Sequence, residues 1–495
     1  MNENSIGKNR PINRLWLGVF VGAVFLSLFV LHAPCVFAQG GSADKTAQDS
    51  AKTRQYSGLL GSILEFVHDN YVDEVDPEVL YQGAMKGMMS SLGDPYTTYL
   101  SPEMMRDLSD VTKGNFGGVG LSISKPLEST PDKPAYVEVA SPIEDTPGWR
   151  AGIRSGDYIL SIAGTPTPDI SLDDAVSLLR GEVGTAVEIL IRRGKNMEFP
   201  VTLERAIIEV PTVKYGMIGG VGYLRIIEFS RPTADRVQEA LNSFAQAGYT
   251  SLIIDLRNNP GGLIQSVADV ADKFIDSGTI VSTKSRLKFE NSVFTASARK
   301  TTVPGEMPMV VLINRGSASA SEILSGALKD HRLAYLVGAR TYGKGSVQQP
   351  VPLSKSDGVK ITTARYYTPS DTNIDKIGIP PDREIVAPGL TEEEEKAYVS
   401  LFNANVIASY VEDRPAMTEK DIAAFAQELQ KTYALSDRLL RRLVRNTVNR
   451  TRPAELYDLD YDVQLVEALS ILRNEDFAGL MKTTKTLKEL QDEVQ

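Results

Sequence analysis

The sequence predicts a multidomain α+β protein in which an α/β core is accompanied by a β-rich module and two helical regions. Three observations support this prediction. The chain has 495 residues, more than one compact core usually holds. Strand and helix patterns alternate over residues 206–390, whereas residues 111–205 contain short alternating strands around one helix. Residues 55–110 and 391–495 show mainly helical patterns, which predict an N-terminal helical region and a C-terminal helical extension.

The first residues have the order of an export signal. Basic residues precede an apolar run at 15–31, and small residues follow, with a cleavage point expected after Ala38. The run is also long enough to remain as a membrane anchor. A lipoprotein attached through Cys35 is a weaker alternative, because the neighbouring residues are unfavourable for lipidation. We therefore expect an exported protein of the periplasm or cell envelope, soluble after loss of residues 1–38 or anchored through residues 15–31.

Composition limits the chemistry that the chain can perform. Cys35 is the only cysteine, so a chain cut after Ala38 has no thiol for catalysis, disulfides or metal binding. One of the three histidines, His32, lies in the signal, which nearly excludes a histidine-rich zinc site. The net charge is −10 and no basic run occurs outside the N-terminus, which argues against nucleic acid as the main partner.

The region after the signal is predicted to be a linker followed by helices. Residues 39–54 are small and polar, as is typical of a linker. Apolar residues then recur at helical spacing from about residue 59, and a second helix is expected at 77–92, before Gly93-Asp94-Pro95.

Residues 111–205 are predicted to form a compact β-rich module. Its one helix is expected at 172–180, where Ser171 and Asp174 can form an N-terminal capping box. Its main strands are expected within four segments, namely 118–123, 136–143, 156–164 and 186–193.

The α/β core is predicted from a repeated strand–loop–helix unit. Residues 251–257 form a continuous apolar run typical of a buried strand, and a glycine-rich loop and an amphipathic helix follow. The strand at 310–315 and the helix at 320–330 repeat this unit. In such a sheet, ligand chemistry is expected at the carboxyl ends of the strands. The region 391–495 is expected to serve assembly or regulation, with a packing role on the core as the equal alternative.

Two strand-to-helix junctions of the core are rich in small residues. They read DLRNNPGG at 255–262 and GSASASEI at 316–323. Glycine and alanine let a substrate backbone approach closely, and the free amides at a helix start point toward whatever binds there. A serine in the second junction could be a nucleophile if a base lies nearby.

Among the side chains that could act as the base, a lysine is favoured over the histidines. His331 lies twelve residues after Ser319 in the same predicted helix, about 18 Å away at 1.5 Å per residue, so it cannot reach. His68 belongs to another region, and no G-x-S-x-G motif is present. Lys344 lies between two glycines directly after a strand-like segment. Burial could lower the pKa of such a lysine from about 10.4 to about 7–8, which would make it a base.

The same loop also contains most of a phosphate-binding motif. Gly338, Gly343 and Lys344 have the spacing of a P-loop, which would indicate an NTPase. Gly345 stands where that motif has Ser or Thr, so this interpretation is disfavoured.

Four segments of the chain form a distinctive combination, namely DLRNNPGG at 255–262, GSASASEI at 316–323, TYGKGSVQ at 341–348 and GIPPD at 378–382. Together they resemble the carboxyl-terminal processing peptidases of serine-peptidase family S41. The resemblance covers about residues 55–390 and implies a serine endopeptidase with a ClpP/crotonase-like α/β core.

Matched by motif position, the resemblance implies a role for each catalytic residue. Ser319 would be the nucleophile, Lys344 its general base, and Gln348 would orient the lysine. The backbone N–H groups of Ala320 and of either Gly261 or Gly262 would form the oxyanion hole. The resemblance implies no metal and no organic cofactor.

The β-rich module resembles a PDZ domain. Residues 117–121, GGVGL, are similar to a loop that binds a peptide's terminal carboxylate, and residues 148–164 are similar to a PDZ turn and strand. The residues expected to bind peptide are Gly118, Val119, Gly120, Leu121, Ala175, Val176 and Leu179. The last three lie on the predicted helix, and for them a role in the core of the module stays open as an alternative. The resemblance implies protein substrates bound by their C-termini, and binding that also switches the active site on.

The tail departs from the family pattern. In shorter relatives a segment like 462–472 closely follows the GIPPD element, whereas here residues 383–461 intervene. This difference predicts a homo-oligomer, an activating partner protein, or both. Two other functions stay open at this point, a noncatalytic PDZ scaffold and another hydrolase or acyl transferase on a related core. The intact Ser319, Lys344 and Gln348 disfavour the first, and the PDZ-like module disfavours the second.

Overall fold

The structure, a computed structural model, describes most of the chain after residue 42. The signal or anchor expected at 1–38, with its apolar run at 15–31, lies outside the described residues. Within the described part, no helix has the length and apolar character to cross a membrane. The chain forms two compact units, one ending at Tyr81 and the other beginning at Gln82. The described ranges are 43–126, 135–143, 146–154, 156–194, 197–209, 211–386, 390–414, 416–449 and 455–493.

The described part of the first unit is helical. It contains α1 (Ala43–Asn70) and the start of α2 (Pro77–Ser90). The linker expected at 39–54 is helical from Ala43 onward. The reason is that alanine, lysine, glutamine and arginine are frequent after Ala43 and no glycine or proline occurs between Ala43 and Gly58, so helix propensity is high.

The β-rich module has strands in three of the predicted segments, at Val137–Pro142, Tyr158–Ile162 and Ala186–Arg193. The predicted strand at 118–123 is interrupted at Val119 and Gly120, and Met197–Glu204 forms a strand that was not predicted. The helix α5 begins where expected, because Ser171 and Asp174 form the predicted capping box. One sheet has the strand order β3-β4-β5-β7-β8, with β6 on β5, and β2 pairs separately with β9. Strand β3 therefore forms an edge of the sheet. The elements are β2 (Asn115–Gly118), β3 (Leu121–Ser124), β4 (Val137–Pro142), α4 (Pro147–Arg150), β5 (Tyr158–Ile162), β6 (Thr165–Pro166), α5 (Leu172–Leu179), β7 (Ala186–Arg193), β8 (Met197–Glu204) and β9 (Ala206–Glu209). Upstream of them lie β1 (Thr98–Leu100) and α3 (Pro102–Lys113).

The core contains the predicted α/β unit. Its six-stranded sheet has the order β10-β11-β12-β15-β16-β19, and all neighbours from β11 to β19 are parallel. Both β12 and β15 are buried along their whole length, which explains their unbroken apolar sequence. The elements are β10 (Val213–Ile218), β11 (Val221–Ile226), α6 (Thr233–Gln246), β12 (Ser251–Asp255), α7 (Ile264–Ala271), β13 (Thr279–Ser285), β14 (Ser292–Thr295), β15 (Met309–Ile313), α8 (Ala320–Asp330), β16 (Tyr335–Gly338), β17 (Ser346–Pro352), β18 (Gly358–Tyr367) and β19 (Arg383–Glu384).

A second sheet of the core includes a strand from far upstream. Its order is β1-β18-β13-β14, and β17 also pairs with β18. In the β1–β18 pair, Thr98 lies opposite Lys360 and Leu100 opposite Gly358. The residues just before β1 are thereby brought beside the loop that carries Lys344.

The C-terminal region contains two packing groups. Apolar residues of α13 pack against the six-stranded sheet, where Leu465 and Ile471 share a buried cluster with Ile253 and Val310. Helices α9 to α12 enclose a separate apolar cluster of their own. The elements are α9 (Glu392–Asn403), α10 (Val406–Glu412), α11 (Glu419–Gln430), α12 (Asp437–Asn449), α13 (Val463–Asn474), α14 (Phe477–Thr483) and α15 (Leu487–Asp492).

Candidate active site

Ser319 lies in a sharp turn between β15 and α8. Its φ is 54° and its ψ is −114°, a region that a residue with a Cβ rarely adopts. The side chain is half-buried at the start of the helix. Although the G-x-S-x-G motif is absent, the backbone therefore makes the strained strand–turn–helix connection that exposes a nucleophile in other hydrolases.

Small hydroxyl residues hold this turn against the first junction. The Ser317 hydroxyl donates to the Leu256 carbonyl at 2.8 Å, and the Ser321 hydroxyl donates to the Asn259 carbonyl at 2.9 Å. The Ala318 N–H also donates to the Asn259 carbonyl, at 3.0 Å. These contacts account for the serines on either side of Ser319, which bridge the two junctions rather than cap the helix.

The two glycines of the first junction have different environments. The Gly261 N–H is buried and donates to Asn259 Oδ1 at 2.9 Å, so it is already occupied. Gly262 is exposed, and within the described ranges neither its N–H nor that of Ala320 donates to an acceptor. Gly262 and Ala320 are therefore the amides that are free to bind an oxyanion.

Gly261 is required for a steric reason. Its φ is 108°, and a Cβ at this position would lie 2.7 Å from the Ser319 Cβ. Only glycine permits this close approach without moving the serine turn.

Glu322 links the serine turn to the lysine loop, a role that the sequence reasoning missed. Its Oε2 accepts from the N–H groups of Ser319 and Lys344, both at 2.9 Å. Its Oε1 accepts from the Gly343 N–H at 2.7 Å and the Thr341 hydroxyl at 2.6 Å. Burial raises the pKa of Glu322, and these donors oppose that rise. The S-x-x-E spacing from Ser319 is a capping-box pattern that could have revealed the residue.

Lys344 is half-buried, and its environment favours the neutral amine. Burial and the positive charge of Lys360 lower its pKa, and the carboxylates of Glu322 and Asp94 only partly oppose this. This is the direction that a lysine base requires. The Lys344 Nζ lies over the ring of Tyr96, 4.8 Å from the ring centroid.

Gln348 lies on β17, four residues after Lys344, and its side-chain amide donates to hydroxyl groups. Its amide nitrogen donates to the Ser346 hydroxyl at 2.8 Å and to the Thr362 hydroxyl at 3.3 Å. In the described part of the chain, no hydrogen bond joins the Lys344 Nζ to Ser319 or to Gln348. The structure thus brings the main chains of Ser319 and Lys344 together at Glu322, and among the described hydrogen bonds the Gln348 side chain contacts neither residue.

The residues expected to bind peptide differ in how deeply they are buried. Ala175 and Leu179 are buried in the core of the module, whereas Val176 on the same helix is half-buried. In the loop before β3, Val119 is also buried in that core. The N–H groups of Val119 and Gly120 donate to no described acceptor.

The loop before β3 also contains a position that requires glycine. Gly120 has a φ of 74°, and a Cβ there would lie 2.2 Å from Thr146. Gly118 pairs with Ala206 in the β2–β9 ladder, and Leu121 begins the edge strand. The loop therefore joins a paired strand to an open edge. Among the described residues, no group of three or more His, Cys, Asp or Glu side chains is arranged to hold a metal ion.

Comparisons with known proteins agree with this architecture. The family described as "Peptidase family S41" matches residues 220–385, "PDZ domain" matches 138–193, and "Activating protease CtpB N-terminal domain" matches 29–104.

Similar proteins cover most of the chain. A carboxy-terminal-processing protease of Bartonella bacilliformis is 39% identical over 374 residues, which are 74% of this chain and 82% of that protein. A carboxyl-terminal-processing protease of Synechocystis sp. is 37% identical over 311 residues, covering 62% of this chain and 71% of that protein. Among solved structures, a photosystem II D1 C-terminal processing protease is 30% identical, covers 66% of this chain and 92% of that chain, and has a TM-score of 0.40.

These matches confirm the resemblance seen in the sequence and its α/β protease core with a PDZ domain. The chain is a serine-type peptidase that acts on proteins, and it belongs to the carboxyl-terminal processing proteases of peptidase family S41.

Proposed function

We propose that the chain is an endopeptidase that trims or degrades exported proteins recognised at their C-termini, with Ser319 as nucleophile and Lys344 as general base. The observation that carries the proposal is the position of Glu322. One buried carboxylate accepts hydrogen bonds from the main chain of both residues, and so keeps the proposed nucleophile and base in neighbouring turns.

The proposed reaction begins with the neutral amine of Lys344. The Ser319 Oγ attacks the carbonyl carbon of the peptide bond while the amine takes the hydroxyl proton. The oxygen of the tetrahedral intermediate becomes negative and accepts hydrogen bonds from the Gly262 and Ala320 N–H groups. The Lys344 ammonium then gives its proton to the leaving amine, and the C–N bond breaks.

The second half of the reaction releases the acyl group. Lys344, neutral again, takes a proton from water as the water oxygen attacks the ester carbon of Ser319. The intermediate collapses, the proton returns to the Ser319 Oγ, and the new carboxyl terminus leaves. Gln348 is proposed to orient Lys344 once its amide leaves the hydroxyls of Ser346 and Thr362.

The PDZ domain is proposed to select the substrate. The free N–H groups of Val119 and Gly120 could receive the terminal carboxylate, and the peptide would add as a strand to the edge of β3, against Val176 on α5. The unconnected Lys344 and Gln348 favour an active site that is completed after such binding. The match of residues 29–104 to the N-terminal domain of an activating protease supports control by assembly or by a partner protein. The signal-like N-terminus supports action in the periplasm or cell envelope.

The catalytic pair is tested by cleavage of an unfolded protein substrate. Ser319→Ala and Lys344→Ala should each reduce the rate about a thousandfold or more. Ser356→Ala and Lys355→Ala, on an exposed hairpin turn, are matched controls that should cleave like the unaltered enzyme. Cleavage that survives in Ser319→Ala or Lys344→Ala would exclude the assigned residue.

C-terminal recognition is tested separately with one substrate peptide in two forms. The peptide with a free carboxylate should be cleaved at least about tenfold faster than the same peptide with an amidated C-terminus, because the amide cannot receive the same charge-assisted hydrogen bonds. Equal rates would contradict recognition through the carboxylate.

A further inference from the structure

A turn from outside the catalytic loops covers the proposed base. Residues 94–97 precede β1, and pairing of β1 with β18 brings the turn beside Lys344. The Lys344 Nζ lies 4.8 Å from the centroid of the Tyr96 ring. Cations within about 6 Å of an aromatic face are attracted by the negative potential of the ring. The ring therefore favours the ammonium form of the lysine.

The same turn is connected to Gln348. The Thr362 N–H donates to the Thr97 hydroxyl at 3.1 Å, and the Thr362 hydroxyl accepts from the Gln348 amide at 3.3 Å. Within the turn, the Thr97 hydroxyl and the Tyr96 N–H both donate to the Asp94 carboxylate, at 2.6 and 3.0 Å. One short segment thus contacts the base directly and, through Thr362, the residue proposed to orient it.

We propose that Tyr96 is a positioning residue that holds the ammonium form of Lys344 away from Ser319 in the resting enzyme. This inference rests on the proposed function, because it takes Lys344 as the base. Catalysis needs a neutral amine beside the Ser319 hydroxyl, whereas the ring attracts a charged one. The contact with Tyr96 therefore competes with formation of the Ser319–Lys344 pair, and release of the turn would favour that pair.

The surroundings of Lys344 act on its charge in both directions. Burial and Lys360 disfavour the ammonium form, whereas Glu322 and Asp94 favour it, as the face of the Tyr96 ring does. The neighbouring hydroxyl of Tyr342 and burial raise the pKa of Tyr96 to about 12, so the Tyr96 ring is neutral at the pH of the reaction. The ring thus acts through its π face and not as a phenolate.

A titration of Lys344 tests the contact without any need for activity. The full-length protein is treated with acetic anhydride across a pH series, and acetylation of Lys344 is followed by mass spectrometry. In Tyr96→Leu the midpoint of labelling should fall by about one pH unit, because the ring no longer stabilises the ammonium form. Tyr96→Phe keeps the ring and should titrate like the unaltered protein. An unchanged or higher midpoint in Tyr96→Leu would overturn the proposal.

A second lysine–tyrosine contact in the same sheet provides a matched control. The Lys284 Nζ lies 4.0 Å from the centroid of the Tyr367 ring, on β18. Tyr367→Leu, which removes that ring and leaves Tyr96 in place, should leave the labelling midpoint of Lys344 unchanged. Tyr96→Met, which keeps an apolar side chain of similar length, replaces Tyr96→Leu if thermal unfolding shows that the leucine variant is not folded.

The holding role is tested by the reactivity of Ser319. A fluorophosphonate probe is added in the absence of peptide, with Ser319→Ala as the blank. Labelling in Tyr96→Leu should be about threefold to tenfold faster than in the unaltered enzyme, as expected for loss of one cation–π contact. Tyr96→Phe should match the unaltered enzyme. Slower or equal labelling in Tyr96→Leu would show that Tyr96 does not hold the base at rest.

One further variant separates this inference from the proposed function. If the double variant Tyr96→Leu/Lys344→Ala is labelled as fast as Tyr96→Leu, Lys344 is not the base and the proposed mechanism fails. The acetylation midpoints would still decide whether Tyr96 holds the lysine.

Discussion

The serine turn and the lysine side chain are held in opposite ways. The turn at Ser319 has a strained backbone and is fixed by hydrogen bonds from neighbouring serines and from Glu322. The main chain of Lys344 is equally well fixed, since its N–H donates to Glu322 and its carbonyl accepts from the Tyr366 hydroxyl. Its side chain, however, contacts the ring of Tyr96 instead of the serine.

This difference indicates which part of the site can change on activation. Strain at a nucleophile persists only where the surrounding contacts over-determine it, as they do around Ser319. A lysine side chain has several rotatable bonds and can change position without disturbing that turn. The proposed activation would therefore move the side chains of Lys344 and Gln348 and the turn at 94–97, and it would leave the serine turn as it is.

The largest expected effect comes from breaking the link between the fixed parts. In Glu322→Gln, one carboxylate oxygen becomes an NH2 group that faces at least two of the five donors. We expect activity to fall by at least about a hundredfold and the free energy of unfolding to fall by about 3 kcal/mol, because buried donors lose their acceptor. Peptide cleavage and chemical denaturation measure the two effects.

A matched carboxylate provides the control for that experiment. Glu394 has the same capping-box position at the start of α9, where its carboxylate accepts from the Thr391 N–H on an exposed surface. Glu394→Gln should change the free energy of unfolding by less than about 1 kcal/mol. Near-normal activity in Glu322→Gln would contradict the view that this carboxylate fixes both turns.

A smaller effect is expected from crowding the serine turn. Gly261→Ala places a Cβ 2.7 Å from the Ser319 Cβ at a φ of 108°, so the turn must shift. We expect the cleavage rate to fall about tenfold to a hundredfold and the free energy of unfolding to fall by about 1–3 kcal/mol. Gly305→Ala is the control, because the nearest atom to an added Cβ there is 4.0 Å away. If Gly261→Ala cleaves normally, the serine turn is less rigid than its contacts imply.

Local sequence patterns predict much of the fold and part of the site. Apolar runs and periodicity placed β12, β15 and α8, and the Ser171–Asp174 spacing placed the start of α5. These features depend on residues that are close in the chain, so they can be predicted from a single sequence. The positions of Ser319 and Lys344 came from motif spacing together with the family resemblance.

Contacts between distant segments were not predictable in the same way. Tyr96 reaches Lys344 only because β1 pairs with β18, more than 250 residues further along the chain. The proposal of Gly262 rather than Gly261 for the oxyanion hole depends on Asn259, whose side chain accepts from the Gly261 N–H. Neither the partner of a strand nor the direction of an amide follows from local periodicity, and both become visible only in the folded chain.

The smallest expected effects concern the pKa of Lys344 and have opposite signs. Lys360 lowers this pKa and Asp94 raises it. A lysine base must be neutral, so, if Lys344 is the base as proposed, kcat/KM should rise as the pH passes through the pKa of Lys344. In Lys360→Gln that rise should move to higher pH, and in Asp94→Asn to lower pH, each by less than about one pH unit. Both shifts should shrink as salt is added, since the charges lie near solvent. Shifts of the same sign in the two variants would mean that the group seen in the pH profile is not Lys344, and the contrast between a fixed serine and an adjustable lysine would have to be abandoned.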